Sequence, residues 1–367
     1  MRLLFITQKV DKNDDVLGVY HRWIEKLAAK TEKINVICLY KGKVEMPGNV
    51  VVHSLGKELT GHNRFRYLGN FFRLVWKLRS EYDVVFVHMN PEYVILAGWL
   101  WRMLGKRVVL WYAHYLSNLK LRIAAIFPNI IVTSTRRAFP YASKKLIVLQ
   151  QGIDTGNFSS LPRPVSSEGG SASGGKDAAV VKFLFLGRIA PVKKLEVLVR
   201  AIQLASQRIN ARLSVVGSPT AGKPVEAEYL REVQKLVSGL GLSGRIGFEK
   251  PVANILTPEI YRKHDIFVNL TVTGSFDKST LEAMACGSPI LVSNLAFRDV
   301  LPEDLQSLLM FQEGDHRDLA EQMVKLAALS AQDREAIGGR LRDIIVEKHG
   351  LDGLVDKLYS ALSANDN

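Results

Sequence analysis

Short runs of consecutive apolar residues alternate along the chain with longer segments of helical periodicity. Runs of this kind are typical of strands buried on both faces. In the first half, strands are predicted at 2–7, 35–40, 50–55, 84–88, 107–112, 129–133 and 145–149. In the second half, they are predicted at 181–187, 212–217, 245–248, 265–269, 289–293 and 308–311. The pattern indicates α/β architecture, with two parallel sheets that are each covered by helices on both faces.

A chain of 367 residues is longer than one ordinary hydrophobic core requires, so two domains are expected. The stretch 161–180, LPRPVSSEGGSASGGKDAAV, is rich in glycine and serine and has no apolar period. It is predicted to be a flexible loop near the domain junction. We therefore divide the chain into a domain at 1–160 and a second domain at 161–349.

The positive charge of the chain lies in its first half. Residues 1–165 contain 25 Lys and Arg against 11 Asp and Glu, whereas the remainder contains 24 against 25. This asymmetry favours an anionic partner for the first domain: nucleic acid, a membrane surface or a phosphorylated substrate. The sequence contains no nucleic-acid recognition motif, so nucleic acid ranks last.

The composition, 47% hydrophobic and 23% charged, is that of a folded globular protein. Cys38 and Cys286 form no spaced pattern and are predicted to be buried free thiols in a reducing compartment. The apolar run after Met1 and Arg2 is too short for a signal peptide, and the apolar stretch 93–101 is about half the length of a membrane-spanning helix. These features predict a cytoplasmic protein.

Polar and cationic residues follow several predicted strands. In parallel sheets, ligands bind beyond the carboxyl ends of strands. The residues at these positions include His88, His114, Arg188, Gly217 and Lys250. We expect them to converge on a ligand crevice between the two domains.

Arg188 directly follows a predicted strand in FLGRIAPVKK, and Lys193 stands five residues later, before a predicted helix. The planar donor fork of Arg and the compact charge of Lys together suit a diphosphate. A solvated basic loop is the alternative interpretation.

The segment TVTGSFDKSTLEAMACGSPI, residues 271–290, has two interpretations. Ser279 and Glu282 fit a capping box, in which Glu282 only satisfies a backbone N–H. Alternatively, the helix start and Lys278 face a phosphate, and Glu282 binds the hydroxyls of a ribose. The residue spacing alone leaves both open.

The segment 61–80 interleaves basic and aromatic residues, beginning with Arg64 and Arg66. It is either an amphipathic helix on an anionic bilayer or an ordinary helix with its aromatic stripe in the core. Gly18 is the only glycine of the first loop, so the sequence there lacks a G-x-G-x-x-G fingerprint. No Walker loop and no Cys/His metal pattern are present, and no metal site is predicted.

These motifs together resemble the retaining glycosyltransferases of family 4, also called group 1. The resemblance is strongest from FLFLGRIAPVKKLEVLVRAI through VVGS and GFEKPV to GSFDKSTLEAMACGSPI, and weaker at WYAHY and QQGIDTGNF. It implies the GT-B fold, in which two doubly wound Rossmann-like domains face a central cleft. It also implies a C-terminal helix, roughly at 350–367, that packs back on the first domain.

The resemblance implies roles for individual positions. His114 would lie beside the transferred sugar, and Arg188 and Lys193 would neutralise the donor diphosphate as catalytic cations. Glu282 falls on the second acid of the Glu–seven residues–Glu pattern of the family. The implied donor-binding set is Gly18, Gly217, Lys250, Val252, Gly274, Ser275, Asp277, Lys278, Ser279 and Glu282.

The chain departs from the family pattern at Gly274, where the first acid is expected. That acid orients the donor sugar in the family. Either Asp277 takes its place, or the sugar is held differently, or the protein is a degenerate binder. We favour continued activity, because the other implied donor residues are retained.

The resulting expectation is a metal-independent retaining hexosyltransferase that needs no cofactor. It would use a nucleotide-diphosphate sugar, with UDP- or GDP-sugars favoured, and a lipid-linked or saccharide acceptor for cell-surface polysaccharide or glycolipid synthesis. The predicted acceptor contacts are His88, Asn90, Arg64 and Arg66, and the expected location is the inner membrane face. The alternatives are a sugar-nucleotide 2-epimerase on the same fold and a degenerate nucleotide-sugar-binding scaffold.

Overall fold

The computed structural model describes residues 1–14, 17–60, 63–114, 116–159 and 179–364. The chain divides into two compact units. The first comprises 1–154, 253–255 and 349–367, and the second comprises 155–252 and 256–348. The predicted junction loop at 161–180 lies outside the described residues except for its last two positions.

The first unit contains a seven-stranded parallel sheet in the order β3-β2-β1-β4-β5-β6-β7. Its strands are β1 (Arg2–Val10), β2 (Lys33–Lys41), β3 (Val50–Ser54), β4 (Val84–His88), β5 (Arg107–Trp111), β6 (Ile130–Thr133) and β7 (Leu146–Val148). Its helices are α1 (Val19–Ala28), α2 (Lys57–Thr60), α3 (Arg64–Lys77), α4 (Pro91–Met103), α5 (Leu119–Ala124) and, after the second unit, α13 (Leu351–Ser363).

Alternate strand residues of this sheet enter two separate cores. Leu3 and Phe5 of β1 pack with α1 and α13, whereas Leu4 and Ile6 pack with α3, α4 and α5. Such alternation is the pleat of a strand that is buried on both faces. The sheet therefore has two helical layers: α1 with α13 on one face, and α3 to α5 on the other.

The second unit contains a five-stranded parallel sheet in the order β10-β9-β8-β11-β12. Its strands are β8 (Val181–Leu186), β9 (Ala211–Val216), β10 (Ile246–Glu249), β11 (Ile266–Asn269) and β12 (Ile290–Val292). Its helices are α6 (Leu195–Ala205), α7 (Pro224–Gly239), α8 (Thr257–Arg262), α9 (Lys278–Ala285), α10 (Glu303–Leu309), α11 (His316–Ala328) and α12 (Ala331–Lys348).

The prediction of two doubly wound parallel α/β domains is confirmed. The strand predicted at 308–311 is wrong. Residues 308 and 309 are the last residues of α10, and Met310 makes only an isolated bridge to Val292. A four-residue apolar run does not by itself distinguish a strand from the buried end of a helix. Cys38 and Cys286 are buried free thiols, as predicted.

Candidate functional site

The loops after β8, β9 and β11 lie at one edge of the five-stranded sheet. Parallel strands present their carboxyl ends at the same edge, and β8 lies between β9 and β11 in the sheet. Arg188 and Lys193 follow β8, Gly217 follows β9, and the segment 270–277 follows β11. The fold thus brings together three stretches that are dispersed in the sequence.

Gly217 is required by a close approach between two of these loops. A Cβ atom on Gly217 would lie 1.9 Å from the carbonyl oxygen of Gly187. Backbone hydrogen bonds continue past the strand ends, because the N–H of Gly187 donates to Val216 and the N–H of Ile189 donates to Ser218, both at 3.0 Å. These contacts fix the backbone on both sides of Arg188.

Lys193 is held by Asp277. Lys193 ends a single 3₁₀ turn, Pro191–Lys193, and its ammonium pairs with the Asp277 carboxylate and donates to Thr271 Oγ1 at 3.1 Å. The two side chains are 15% and 11% exposed. Burial alone would raise the pKa of Asp277, but the Lys193 charge and the surrounding hydrogen-bond donors hold it well below its usual range.

Asp277 is also the N-cap of α9. Its Oδ1 accepts from the backbone N–H of Ser279 at 3.2 Å and from the Ser279 hydroxyl at 2.7 Å. Asp277 therefore occupies the position that the capping-box interpretation assigned to Ser279. That interpretation is wrong, because the helix begins at Lys278 and the N–H of Ser279 already has an acceptor.

Glu282 lies on the buried side of α9. Its side chain is 3% exposed, forms an ion pair with Lys278 at 2.7 Å and accepts from the Tyr261 hydroxyl at 3.3 Å. Burial, reinforced by the nearby Glu282 charge, raises the pKa of Tyr261. Tyr261 therefore stays a neutral donor, and its hydroxyl proton lies between the Ser279 carbonyl at 3.0 Å and Glu282 Oε2 at 3.3 Å.

The segment that contains Gly274 and Ser275 is anchored on both sides. Asn294 Nδ2 donates to the Ser275 carbonyl at 2.8 Å, and the Phe276 ring packs edge-on against Phe297, with the ring centroids 5.3 Å apart. Asp277 directs Oδ1 to Ser279, and Oδ2 to Lys193 and Thr271. Since both oxygens already accept hydrogen bonds, Asp277 is poorly placed to replace the acid that the family has at Gly274.

Glu226 lies beside Arg188 and was not predicted from the sequence. Glu226 is buried, accepts from the Thr220 N–H at 2.8 Å and pairs with Lys223 at 3.2 Å and with Arg188 at 3.8 Å. Burial would raise the pKa of Glu226, but these donors and cations lower it. Arg188, Lys223 and Glu226 line a cavity of about 410 Å³. A single Glu in an ordinary helical stretch does not reveal such a contact.

Lys250 and Val252 follow β10, the strand next to β9 at one end of the sheet. Lys250 is exposed and Val252 is half-buried, so both are accessible beside the loop of Gly217. A further cavity, of about 690 Å³, lies past the carboxyl end of β12; its lining includes Thr273, Ser293, Arg298, Gln312 and Glu313. None of these five residues was predicted to line a site.

The predicted residues of the first unit have different environments. A Cβ on Gly18 would lie 2.5 Å from the carbonyl oxygen of Asp14, so glycine is required there by the local backbone. His114 follows β5, is half-buried, and its Nδ1 accepts from the Leu116 N–H at 3.2 Å. Asn90 precedes α4 and donates to the His88 carbonyl at 3.4 Å.

His88 is a core residue, which contradicts its predicted contact with an acceptor. Its side chain is 2% exposed and lies among aromatic rings, with the Tyr20 ring centroid 4.0 Å away. The rings of Phe5, Trp23, Phe86 and Trp111 also lie against it. Burial lowers the pKa of His88 to about 3, so the imidazole is neutral at physiological pH.

The helix α3 has a face buried in the core, as one interpretation of the segment 61–80 predicted, and an exposed face with basic and apolar residues. Phe71 and Val75 are buried in the core, whereas Phe65 is 89% exposed beside the exposed Arg64 and Arg66. Gly61 and His62 lie outside the described residues. None of the described helices combines the length and the apolar character that a membrane span requires. No group of three or more His, Cys, Asp or Glu among the described residues has a metal-binding arrangement.

Comparison with known sequences shows which proteins this chain is similar to. Residues 181–328 match the family model of glycosyl transferases group 1. The D-inositol 3-phosphate glycosyltransferase of Rhodococcus opacus is 28% identical over 233 residues, which cover 61% of this chain and 49% of that protein. D-inositol 3-phosphate glycosyltransferase 2 of Catenulispora acidiphila is 32% identical over 158 residues, or 41% of this chain and 35% of that protein. The matches thus span half or less of these relatives.

Solved structures extend the similarity of fold to the whole chain. HepE of Anabaena, in complex with UDP and glucose, has a TM-score of 0.77 at 17% identity, with all of both chains covered. Sucrose-phosphate synthase of Thermosynechococcus elongatus has a TM-score of 0.75 at 16% identity and 98% coverage of both chains. The expected GT-B fold is confirmed, and so is the resemblance that the sequence motifs indicated.

Proposed function

We propose that this chain transfers a sugar from a nucleotide-diphosphate sugar to an acceptor hydroxyl. Its residues 181–328 match the family model of glycosyl transferases group 1. One observation carries the proposal. Arg188 and Lys193 lie at the same sheet edge as the N-terminus of α9, which bears Glu282. Cations, a helix N-terminus and a buried carboxylate are what a nucleoside diphosphate requires.

The donor diphosphate would lie against Arg188, Lys193 and Lys278. Arg188 is exposed and therefore accessible, while Lys193 is fixed in place by Asp277. When the sugar–phosphate bond breaks, negative charge develops on the leaving oxygen. Cations that are already in position stabilise this charge without having to reorganise.

Glu282 would hold the ribose hydroxyls of the donor. Its carboxylate contacts the Tyr261 hydroxyl and is paired with Lys278. Binding of a nucleotide would release Lys278 towards the diphosphate, so that one movement prepares both contacts. The base would lie near Lys250 and Val252. A UDP-sugar is the first donor to test, because HepE was solved with UDP and with UDP-glucose; a GDP-sugar is the second.

We further propose a retaining mechanism without a metal ion or cofactor, with His114 beside the transferred sugar. The leaving phosphate would take the proton of the acceptor hydroxyl as that hydroxyl attacks from the same face. The cations of this chain would supply the charge stabilisation. The sugar would be held differently from the family pattern, because Gly274 has no side chain and Asp277 is committed to Lys193.

The acceptor would be lipid-linked or a saccharide, bound by the first unit with Arg64, Arg66 and Asn90, at the inner face of the cell membrane. Synthesis of cell-surface polysaccharide or glycolipid is the corresponding role. The relatives named above are D-inositol 3-phosphate glycosyltransferases, so a phosphorylated polyol belongs among the acceptors tested.

The test is a transfer assay with the purified chain and radiolabelled UDP- and GDP-sugars. The acceptor panel contains lipid-linked saccharides, free saccharides and D-inositol 3-phosphate. We expect transfer to at least one acceptor, or slow donor hydrolysis without one. An epimerised nucleotide sugar formed without any acceptor would indicate the 2-epimerase instead. Nucleotide binding without turnover would indicate the degenerate scaffold.

A further inference from the structure

The two helical layers of the first unit differ in how much apolar side chain they expose. The α3–α5 layer and its flanks expose several large apolar side chains, among them Phe65, Trp76, Trp99, Met103, Leu119 and Ile126. The layer of α1 and α13 contributes none of the large exposed apolar residues of the described chain. Because exposed apolar area is unfavourable in water, its concentration on one layer indicates a binding surface.

The same layer carries unbalanced positive charge. The helix α3 contributes Arg64, Arg66, Arg73 and Lys77 and no acid. The helices α4 and α5 add Arg102, Lys120 and Arg122 against Glu92. Of these seven cations, Lys120 alone has an ion-pair partner among the described residues, Glu92 at 3.3 Å. The opposite layer is balanced: α1 and α13 together contain three cations and three acids.

The pattern of α3 explains how one helix serves a core and an outer surface. The buried face contains Phe71, Leu74 and Val75. Phe65, Leu68, Phe72 and Trp76 recur at spacings of three and four residues, and so form a second apolar stripe. Phe65, Leu68 and Trp76 are exposed in this stripe, at 89%, 37% and 53%. An ordinary surface helix has one apolar face, whereas α3 has two.

Aromatic and cationic groups are adjacent on this surface. The Arg79 guanidinium lies 4.4 Å from the ring centroid of Trp76. The indole N–H of the half-exposed Trp99 donates to the Leu96 carbonyl at 2.9 Å. Tryptophan with nearby cations is suited to the interface of a bilayer, where rings reach the acyl boundary and charges stay at the headgroups.

We propose that the outer side of the α3–α5 layer binds the surface of an anionic lipid bilayer. Apolar side chains would enter the headgroup region, and the unpaired cations would attract the lipid phosphates. A nucleic acid would use the cations but would leave the exposed aliphatic residues Met103, Leu119 and Ile126 in water. Membrane binding by this surface does not depend on the donor site. The proposal rests on the proposed function only for the purpose of membrane binding, which is access to a lipid-linked acceptor.

The experiment is co-sedimentation of the full chain with vesicles of phosphatidylglycerol and phosphatidylcholine, or of phosphatidylcholine alone. We expect binding to the anionic vesicles, weak binding to the neutral ones, and loss of most binding between about 0.1 M and about 1 M NaCl. The charge variant Arg73→Glu/Lys77→Glu and the apolar variant Phe65→Ser/Trp76→Ser should each lower the partition coefficient about tenfold or more.

Matched controls lie in the second unit. Arg200→Glu/Lys235→Glu removes two exposed cations from α6 and α7, and Val346→Ser removes an exposed apolar side chain from α12. These controls should bind vesicles like the wild type. Circular dichroism and urea unfolding establish that each variant is folded before its binding is compared.

Equal sedimentation of the wild type and both α3–α5 variants, or equal binding to neutral vesicles, would overturn the proposal. Absence of vesicle binding by the wild type would also overturn the proposal, even if the wild type bound nucleic acid or a protein partner. UDP titration of the same preparation separates the two proposals. Vesicle binding without UDP binding would contradict the proposed donor site and support the membrane-binding surface. UDP binding without vesicle binding would contradict the membrane-binding surface and support the donor site.

Discussion

Lys193 and Asp277 form a largely buried ion pair that joins the loop after β8 to the N-terminus of α9. The cation expected to bind the donor diphosphate is therefore held by an acid that the sequence suggested for the donor sugar. The pair fixes the Lys193 side chain before any ligand arrives. Asp277 is thus a positioning residue for Lys193 and the cap of the helix that bears Glu282.

Asp277→Asn should destabilise the fold. Asn preserves the size and the capping capacity of Asp, but it leaves the Lys193 ammonium without its counter-charge in a buried position. We expect a loss of about 3 kcal/mol in the free energy of unfolding, measured by urea denaturation. Asp304→Asn, which breaks the exposed pair with Arg340, is the control and should change little. A similar small effect of both substitutions would contradict the role of Asp277.

Glu282→Gln should weaken nucleotide binding rather than remove a helix cap. The structure gives the cap to Asp277, so the remaining proposed role of the carboxylate is to bind ribose. Loss of a charged hydrogen bond lowers affinity for UDP roughly tenfold to a hundredfold. Calorimetric titration measures this change, with Glu259→Gln on the exposed face of α8 as the control. Unchanged UDP affinity in Glu282→Gln would exclude the ribose contact.

Gly217→Ala should disrupt the sheet edge that carries Arg188. The added methyl group would overlap the carbonyl oxygen of Gly187 at 1.9 Å, so the loops after β8 and β9 would have to separate. We expect a loss of about 2 kcal/mol or more in unfolding free energy, together with weaker nucleotide binding. Gly247→Ala lies in β10 with no atom within 4 Å of the new Cβ and should be tolerated. Equal stability of the two variants would be inconsistent with this packing.

His88 should make the stability of the protein depend on pH below neutrality. Its folded pKa of about 3 lies below the unfolded value of about 6.5, so the unfolded chain binds the proton first. Stability is complete above about pH 6.5 and falls as the pH drops towards 3, by about 1.4 kcal/mol per pH unit. His88→Phe removes this contribution and keeps an aromatic ring in the cluster.

The measurement is urea unfolding of the wild type and of His88→Phe at several pH values between about 4.5 and 7. The other histidines are present in both proteins, so the difference between the two curves reports His88. We expect the wild type to lose stability relative to the variant as the pH falls. Parallel curves would show that His88 is accessible to protons in the folded state.

The fold was predictable because its signal is local and repeated. Continuous apolar runs such as those of β4 and β5 require burial on both faces, and this requirement leads to parallel sheets. The strand predicted at 308–311 failed because a short apolar run also suits the end of a helix, which is what α10 provides. The glycine at 217 was identified from its motif, although the close approach to Gly187 that explains it is visible only in three dimensions.

The site was less predictable because its contacts join distant parts of the sequence. The pair of Lys193 with Asp277 spans 84 residues, and nothing in either local pattern specifies the other partner. Glu226 reaches Arg188 in the same way. The spacing of Ser279 and Glu282 fitted a capping box, but Asp277, two residues earlier, is the better placed acceptor. His88 stands at the end of a strand, a position that both exposed and buried residues occupy. Only the structure shows that it is buried among aromatic rings.

The most direct test of donor binding is calorimetric titration of the wild type and of Lys193→Ala with UDP-glucose, UDP and a GDP-sugar. We predict saturable binding of one nucleotide class to the wild type, and an affinity lower by about tenfold or more in Lys193→Ala. No binding of any nucleotide to the wild type, or equal affinity in both proteins, would contradict a nucleotide-sugar donor at this sheet edge.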